Sequence, residues 1–320
     1  MGQRIIWVGA AGSTTGFGII RSLSAAFGER VRLIGADTNP PHLVAASVFA
    51  HASEQVPPAA APDFLARLLE RWEAHGVDTY IPVHDGEILA AARAREQGLL
   101  PAGVAVLAPS LRAVSQCNDK IATCAALRSA GIVTPDTVLL GEAQWREGGW
   151  LRKQRSGVGS IGVQLLRTPA ELAAAQQAGG DYVVQTPCLS GETTIDTFKS
   201  RHSGYFRAVA RERLEIKAGV CSKARLYPDP ELAALAEAVA DAMELRGAFN
   251  VQVMRDSAGR WSVIDVNPRT GGATSMCNLL GIQFAAANAA DLWGEPVEHL
   301  LPALAGERHV VRQPTDFLTQ

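Results

Sequence analysis

Asn250-Val251-Gln252 and Asp265-Val266-Asn267-Pro268-Arg269 are two strand-like stretches joined across the turn signal Asp256-Ser257-Ala258-Gly259. Side chains alternate along a strand, so Asp265 and Asn267 share one face while Val251 and Val266 take the other. The short connection brings Gln252 beside them, collecting one carboxylate and two amide oxygens. Hard oxygen donors of this kind suit Mg²⁺, which keeps part of its water shell and takes further ligands from phosphate oxygens. Arg269 follows at the edge, where its guanidinium fork fits a phosphoryl group. The same letters also serve as a strand end closed by an Asx-type turn, and on these residues alone the two explanations stand level.

Working outward, this strand pair ends a β meander. Thr193 to Phe198 and Tyr205 to Arg213 alternate across a Ser203-Gly204 turn, and Asp229-Pro230 opens a helix through Leu232, Leu235, Val239 and Met243 that stops at Gly247. A further helix is expected near Phe284 to Leu292. Upstream, strands at Trp150 to Gln154 and Ile161 to Leu166 flank Lys153-Gln-Arg-Ser-Gly157-Val158-Gly159-Ser160-Ile161-Gly162. Glycines there let successive amides point at a phosphate, and Lys153 adds a charge to the same anion. The lysine precedes the glycines, so this is not a Walker A loop. Asn118 is expected to cap a helix through Ile121, Ala125 and Leu127, Thr168-Pro169 starts a short helix, and Tyr182 to Gln185 is a strand.

The first third alternates differently. Strands at Ile5 to Val8, Val31 to Ala36, Thr79 to Val83 and Val104 to Leu107 alternate with helices through Ile19-Leu23, Phe64-Trp72 and Glu87-Glu96. That order implies a parallel sheet covered by helices. Gly9, Gly12, Gly16 and Gly18 with Asp37 imitate a dinucleotide site, but the spacing is not G-x-G-x-x-G, and a tight strand-to-helix turn accounts for them better. The fold class is therefore α/β followed by α+β.

Composition narrows the partners. A net charge of -2 over 320 residues offers no field for nucleic acid. No stretch reaches the roughly 18 apolar residues of a membrane helix. The five cysteines are scattered without a C-x-x-C pair, which fits a reducing cytoplasm better than a disulfide framework.

Taken in order, these residues resemble the ATP-grasp superfamily, in the branch similar to the large subunit of carbamoyl phosphate synthetase. The likeness runs over nearly the whole chain. Ile6-Trp7-Val8-Gly9, Gly35-Ala36-Asp37-Thr38-Asn39-Pro40 and Ile81-Pro82-Val83-His84-Asp85-Gly86-Glu87 look like its pre-grasp domain, and Asn118-Asp119-Lys120 like the start of its grasp unit. Lys153 with its glycine loop, Gln185 to Glu192, and the two late strands resemble its phosphate cover, adenine hinge and metal strands. The resemblance implies a Rossmann-like pre-ATP-grasp domain over 1–112, a small subdomain over 113–187 and a large subdomain over 188–320. It implies ATP with one or two Mg²⁺, Mn²⁺ being an alternative. Lys120 and Lys153 would meet the phosphates under Gly157, Gly159 and Ser160. Gln185, Thr186 and Cys188 would line the adenine, and Glu192 the ribose. Gln252, Asp265 and Asn267 would hold metal, with Arg269 on the transferred phosphoryl and Asn250 in support.

The chain departs from the family in having Gln185 and Asp265 where Glu is frequent, and Thr270-Gly271-Gly272 where a second arginine is expected. The implied activity is a cytoplasmic carboxylate–amine ligase acting through an acyl phosphate on small carboxylate and amine substrates, with a homodimer as the default assembly. The acceptor would enter near Gly12, Ser13, Thr14, Asp85 and Glu87, and some of Arg207, Arg211, Lys217, Lys223 and Arg225 would face it. The alternatives are a carbamoyl- or carboxyphosphate-type enzyme, a nicotinamide-dependent oxidoreductase and a non-catalytic nucleotide-binding module.

Overall fold

Three sheets in chain order carry the molecule, and the computed structural model describes residues 2–157, 162–188, 191–217 and 219–319. The first is built from β1 (Arg4–Val8), β2 (Val31–Asp37), β3 (Ala52–Gln55), β4 (Thr79–Ile81) and β5 (Ala105–Val106), parallel in the order β3-β2-β1-β4-β5. Helices α1 (Thr14–Phe27), α2 (Phe64–His75) and α3 (Asp85–Glu96) make its crossovers. The central strand β1 buries Ile6 and Val8 on one face and Trp7 on the other, as a parallel sheet covered on both sides requires. Gly76 ends α2 in the left-handed region at φ 68°, where a side chain would be strained.

Two short helices, α4 (Leu111–Asn118) and α5 (Lys120–Ser129), lead out of this sheet. The expected cap falls one residue late: Asn118 closes α4, and Asp119 caps α5 by accepting from the amides of Ile121 (2.9 Å) and Ala122 (3.3 Å). A carboxylate in this position meets the positive end of the helix as well as its free N–H groups. The second sheet is antiparallel, β6 (Thr137–Leu139), β7 (Trp150–Gln154), β8 (Gln164–Leu166) and β9 (Tyr182–Gln185) in the order β6-β9-β7-β8. Helix α6 (Pro169–Ala178), capped by Thr168, covers it. Its core of Leu140, Trp150, Leu166, Leu172 and Val184 is its own.

The third sheet is antiparallel with six strands, β10 (Thr193–Lys199), β11 (Phe206–Lys217), β12 (Val220–Tyr227), β13 (Gly247–Arg255), β14 (Trp261–Asn267) and β15 (Arg308–Val311). Their order is β14-β13-β10-β11-β12-β15. Helix α7 (Pro230–Ala242) packs on one face and α8 (Phe284–Leu292) on the other, against α1. One continuous core joins Ile6, Ile20 and Leu33 of the first unit to Phe198, Val209, Leu226 and Phe284 of the third. No helix among the described residues is long and apolar enough to cross a membrane.

Candidate functional site

Strands β13 and β14 pair with Asn250 opposite Asn267 and Gln252 opposite Asp265, the ladder shifting register just after Gln252. Val251 and Val266 are buried in the core beneath α7, on the face opposite these polar groups. The Asn267 amide nitrogen donates to Asn250 Oδ1 (3.1 Å) and Asp265 Oδ2 (3.4 Å), while Asn250 Nδ2 donates to the Arg269 carbonyl (3.0 Å). These bonds fix the amides and leave Asn267 Oδ1 and Asp265 Oδ1 as unengaged acceptors among the described residues. With the Gln252 carbonyl oxygen they form a hard-donor set bearing a single negative charge. Such a set fits Mg²⁺ shared with a phosphate, not a protein cage, and no cluster of three or more His, Cys, Asp or Glu exists among the described residues.

This strand pair forms one wall of an open cleft of about 340 Å³. The opposite wall is the N-terminus of α1, Ser13, Thr14 and Thr15, together with His84 and Asp85. Ser13 caps α1 by accepting from the Gly16 amide (3.0 Å). Arg269 spans the cleft and grips Asp85 with both ends of its fork, Nε to Oδ1 at 2.5 Å and NH2 to Oδ2 at 3.1 Å.

The neighbouring acid behaves differently. Glu87 is buried and accepts from the amides of Val83 (3.0 Å) and His84 (3.1 Å), completing a capping box on α3. Burial pushes its carboxyl up, against the lowering pull of those amides. Glu87 therefore does not face the acceptor entry as expected. Asp37 is likewise engaged, accepting from the amides of Gly12 (2.8 Å) and Asn39 (3.0 Å) in its own loop rather than standing open for a ribose.

The expected nucleotide residues lie on the second sheet and its borders. Lys153 on β7 is partly buried, and that burial lowers its pKa. Lys120 pushes the same way, while Asp265, Cys188 and Glu192 oppose it, so all five share one electrostatic neighbourhood. Lys120 opens α5, which Asp119 anchors to Arg155 at 2.6 Å. Burial raises the Cys188 thiol and nearby Lys153 counters it. Glu192 is paired with Arg213 at 2.6 Å.

The Gln185 side chain turns into its sheet, donating to Thr137 Oγ1 at 3.0 Å, and its buried Oε1 has no partner among the described residues. The Thr186 amide donates to the Asp136 carbonyl (3.0 Å), and its hydroxyl accepts from the Asp136 amide (3.1 Å). Both are thus committed to the sheet. Gly157 is exposed at the loop's start, whereas Gly159 and Ser160 lie outside the described residues.

Of the five basic residues expected near the substrate, Arg211 alone lines the cleft. Arg207 donates to the Leu301 carbonyl and Tyr205; Lys217 and Lys223 pair with Glu215; Arg225 pairs with Glu212 and Glu307. Arg213, two residues along the same strand face, also lines the cleft and was not among the expected residues, although its spacing from Arg211 was the signal.

Residues 181–312 match the family described as ATP-grasp in the biosynthetic pathway with Ter operon. No curated protein sequence matches the chain. Among solved structures, N5-carboxyaminoimidazole synthetase from Staphylococcus aureus with ADP is 13% identical at a TM-score of 0.72, over 93% of this chain and 79% of that one. An L-amino acid ligase from Bacillus licheniformis is 14% identical at 0.71, over 91% and 75%. The biotin carboxylase domain of 2-oxoglutarate carboxylase from Hydrogenobacter thermophilus, with MgADP and bicarbonate, is 14% identical at 0.75, over 92% and 70%. Residues 181–312, which include the polar strand pair β13–β14, thus match an ATP-grasp family model, and the chain as a whole, a parallel-sheet unit followed by two antiparallel sheets, is similar in fold to these three structures.

Proposed function

We propose that the chain is an ATP-dependent ligase that phosphorylates a small carboxylate and passes the acyl group to an amine, releasing ADP and phosphate. The observation that carries this is the convergence of Gln252, Asp265, Asn267 and Arg269 on one cleft wall that faces the N-terminus of α1. Lys120 and Lys153 share an electrostatic neighbourhood with Asp265, and in this reading the triphosphate lies between the second and third sheets. Mg²⁺, or Mn²⁺ in its place, would be held by Asp265, Asn267 and Gln252 and would neutralise phosphate charge.

In this reading the carboxylate enters from the α1 side and attacks the γ-phosphorus in line. Arg269 exchanges Asp85 for the transferring phosphoryl group and then holds the acyl phosphate. The amine displaces phosphate from the acyl carbon, and Asp85, once released from Arg269, lines the same cleft and takes its proton. The similar solved structures include a carboxyaminoimidazole synthetase and an amino acid ligase, which supports this reaction class. A nicotinamide site is less favoured, because Asp37 is committed to Gly12 and Asn39.

The test is ADP release from Mg-ATP across a panel of carboxylates and amines. Wild type should turn over with at least one pair, while EDTA or Asp265→Ala abolishes it. Full activity in the Asp265→Ala protein would remove the metal assignment.

A further inference from the structure

We infer that Arg211 anchors a second anionic group of the substrate, distinct from the carboxylate that is phosphorylated, so that the substrate class is dianionic. The inference rests on the ligase reading above and names what that cleft selects.

The argument starts from register. Arg211 on β11 lies opposite Thr194 on β10, Thr194 opposite Gln252 on β13, and Gln252 opposite Asp265 on β14. Directly opposed residues share a sheet face, so these four form one row across the floor of the cleft. Adjacent strands are about 4.8 Å apart, which sets Arg211 roughly 10 Å from the Gln252 backbone and farther from Asp265. Strand β10 stands between, contributing only the Thr194 hydroxyl to the row. Arg211 is thus displaced from the metal strands and matches the far end of a ligand whose near end reaches the phosphoryl group.

The side chain is built to hold that position. Arg211 is 3% exposed and Asp196 is 0% exposed. Arg211 Nε and NH2 donate to the two Asp196 oxygens at 2.8 and 3.3 Å, and Thr274 Oγ1 donates to Asp196 Oδ1 at 2.6 Å. Cys277 Sγ adds a longer contact to Asp196. Asp196 therefore occupies one edge of the guanidinium and Thr274 locks Asp196. NH1 has no hydrogen-bond partner among the described residues, on a side chain that lines the cleft. A buried ion pair contributes little net stability, because desolvation offsets its attraction. A fixed arginine offering one free arm is instead the usual means of recognising a carboxylate. Of the other cleft arginines, Arg269 holds Asp85 through Nε and NH2, and Arg213 commits both terminal nitrogens to Glu192 and the Gly219 carbonyl, leaving only its buried Nε without a partner among the described residues. Asp196 and Thr274 are positioning residues in this scheme.

The experiment compares isosteric pairs in the presence of MgADP by thermal shift and calorimetry: glutamate against glutamine, aspartate against asparagine, and succinate against succinamate. Wild type should bind at least one dianion ten-fold or more tightly than its amide partner. Arg211→Met alone strands Asp196, so the paired variant Arg211→Met with Asp196→Leu removes both charges and guards against misfolding. It should bind MgADP within two-fold of wild type yet lose the preference for the dianion, and Arg211→Lys should retain part of it. Thr274→Val should weaken the preference without touching MgADP. Equal binding of dianion and amide by wild type, or an unchanged preference in the paired variant, overturns the inference and leaves the ligase reading standing. No MgADP binding by wild type overturns both.

Discussion

The Asp85–Arg269 pair offers a measurement of how the cleft uses its own energy. In Asp85→Asn one charge is lost but an acceptor of the same shape remains. The pair is bidentate, and its side chains are 15% and 22% exposed, between a surface pair and a buried one. Exposed pairs contribute about 0–1 kcal/mol, and charge-assisted bonds in partly desolvated sites about 1.5–3 kcal/mol. Keeping one neutral hydrogen bond, the variant should lose roughly 1–2 kcal/mol of stability. The same amount no longer opposes Arg269 when it turns to a γ-phosphate. Affinity for a non-hydrolysable ATP analogue with Mg²⁺ should therefore rise by about five- to thirty-fold, since 1.4 kcal/mol is a factor of ten. Affinity for MgADP, which lacks the group Arg269 receives, should stay within two-fold. Isothermal titration of both nucleotides against wild type, Asp85→Asn and Arg269→Lys reads the effect directly. An unchanged ratio of analogue to ADP affinity in Asp85→Asn would refute the exchange, and with it the role given to Arg269.

Other outcomes follow from separate features. Burial lowers the Lys153 pKa, so its charge costs folding energy at neutral pH and that cost fades as pH rises through the lowered value. A bound phosphate reverses the sign, and MgADP binding at alkaline pH should take up protons, seen as a buffer-dependent binding enthalpy that Lys153→Met abolishes. A methyl group at Gly16 would meet the Ala10 carbonyl oxygen at 2.3 Å and the Ala11 Cα at 2.8 Å, both backbone, so Gly16→Ala should cost roughly 1–3 kcal/mol in denaturant titration. At Asp119, burial opposes ionisation but the Arg155 bond and the amides of Ala122 and Ile121 win and hold the carboxyl below its usual value. Its stabilisation is present above the unfolded-state pKa and lost as pH falls through the folded one. Asp119→Ala should cost about 1–2 kcal/mol at neutral pH, less in acid, and weaken MgADP binding by loosening the start of α5 beside Lys120.

The sequence made the polar strand pair β13–β14 legible because alternation is a strict geometric rule. Val251 and Val266 had to oppose Asp265 and Asn267, and they do. Helix α2, with Phe64, Leu68 and Trp72 buried at helical spacing, was equally readable. Four strands were not read from the sequence, β3, β6, β12 and β15, and two of them lack that pattern: β3 is Ala-Ser-Glu-Gln, and β15 is Arg-His-Val-Val on a sheet edge. Among the basic residues, composition gave no way to choose. Arg211 faces the cleft because it opposes Thr194, whereas the register shifts beyond Arg213 break the alternation before Lys217. Arg225 and Lys223 sit one residue out of phase with Leu226 and Ala224, which oppose Arg211 and Arg213. Long-range pairing decides such questions, and Arg269 finding Asp85 across 184 positions is the same kind of fact.

The shared core between the first and third units has a mechanical corollary. Ile20 and Phe284 belong to one packed cluster, while the sheet carrying Lys153 keeps a separate small core. Prising apart the first two surfaces would expose many apolar side chains at once; tilting the lysine-bearing sheet would expose few. On the proposed reading, the acceptor's berth would keep its width while the lysine-bearing sheet does the closing.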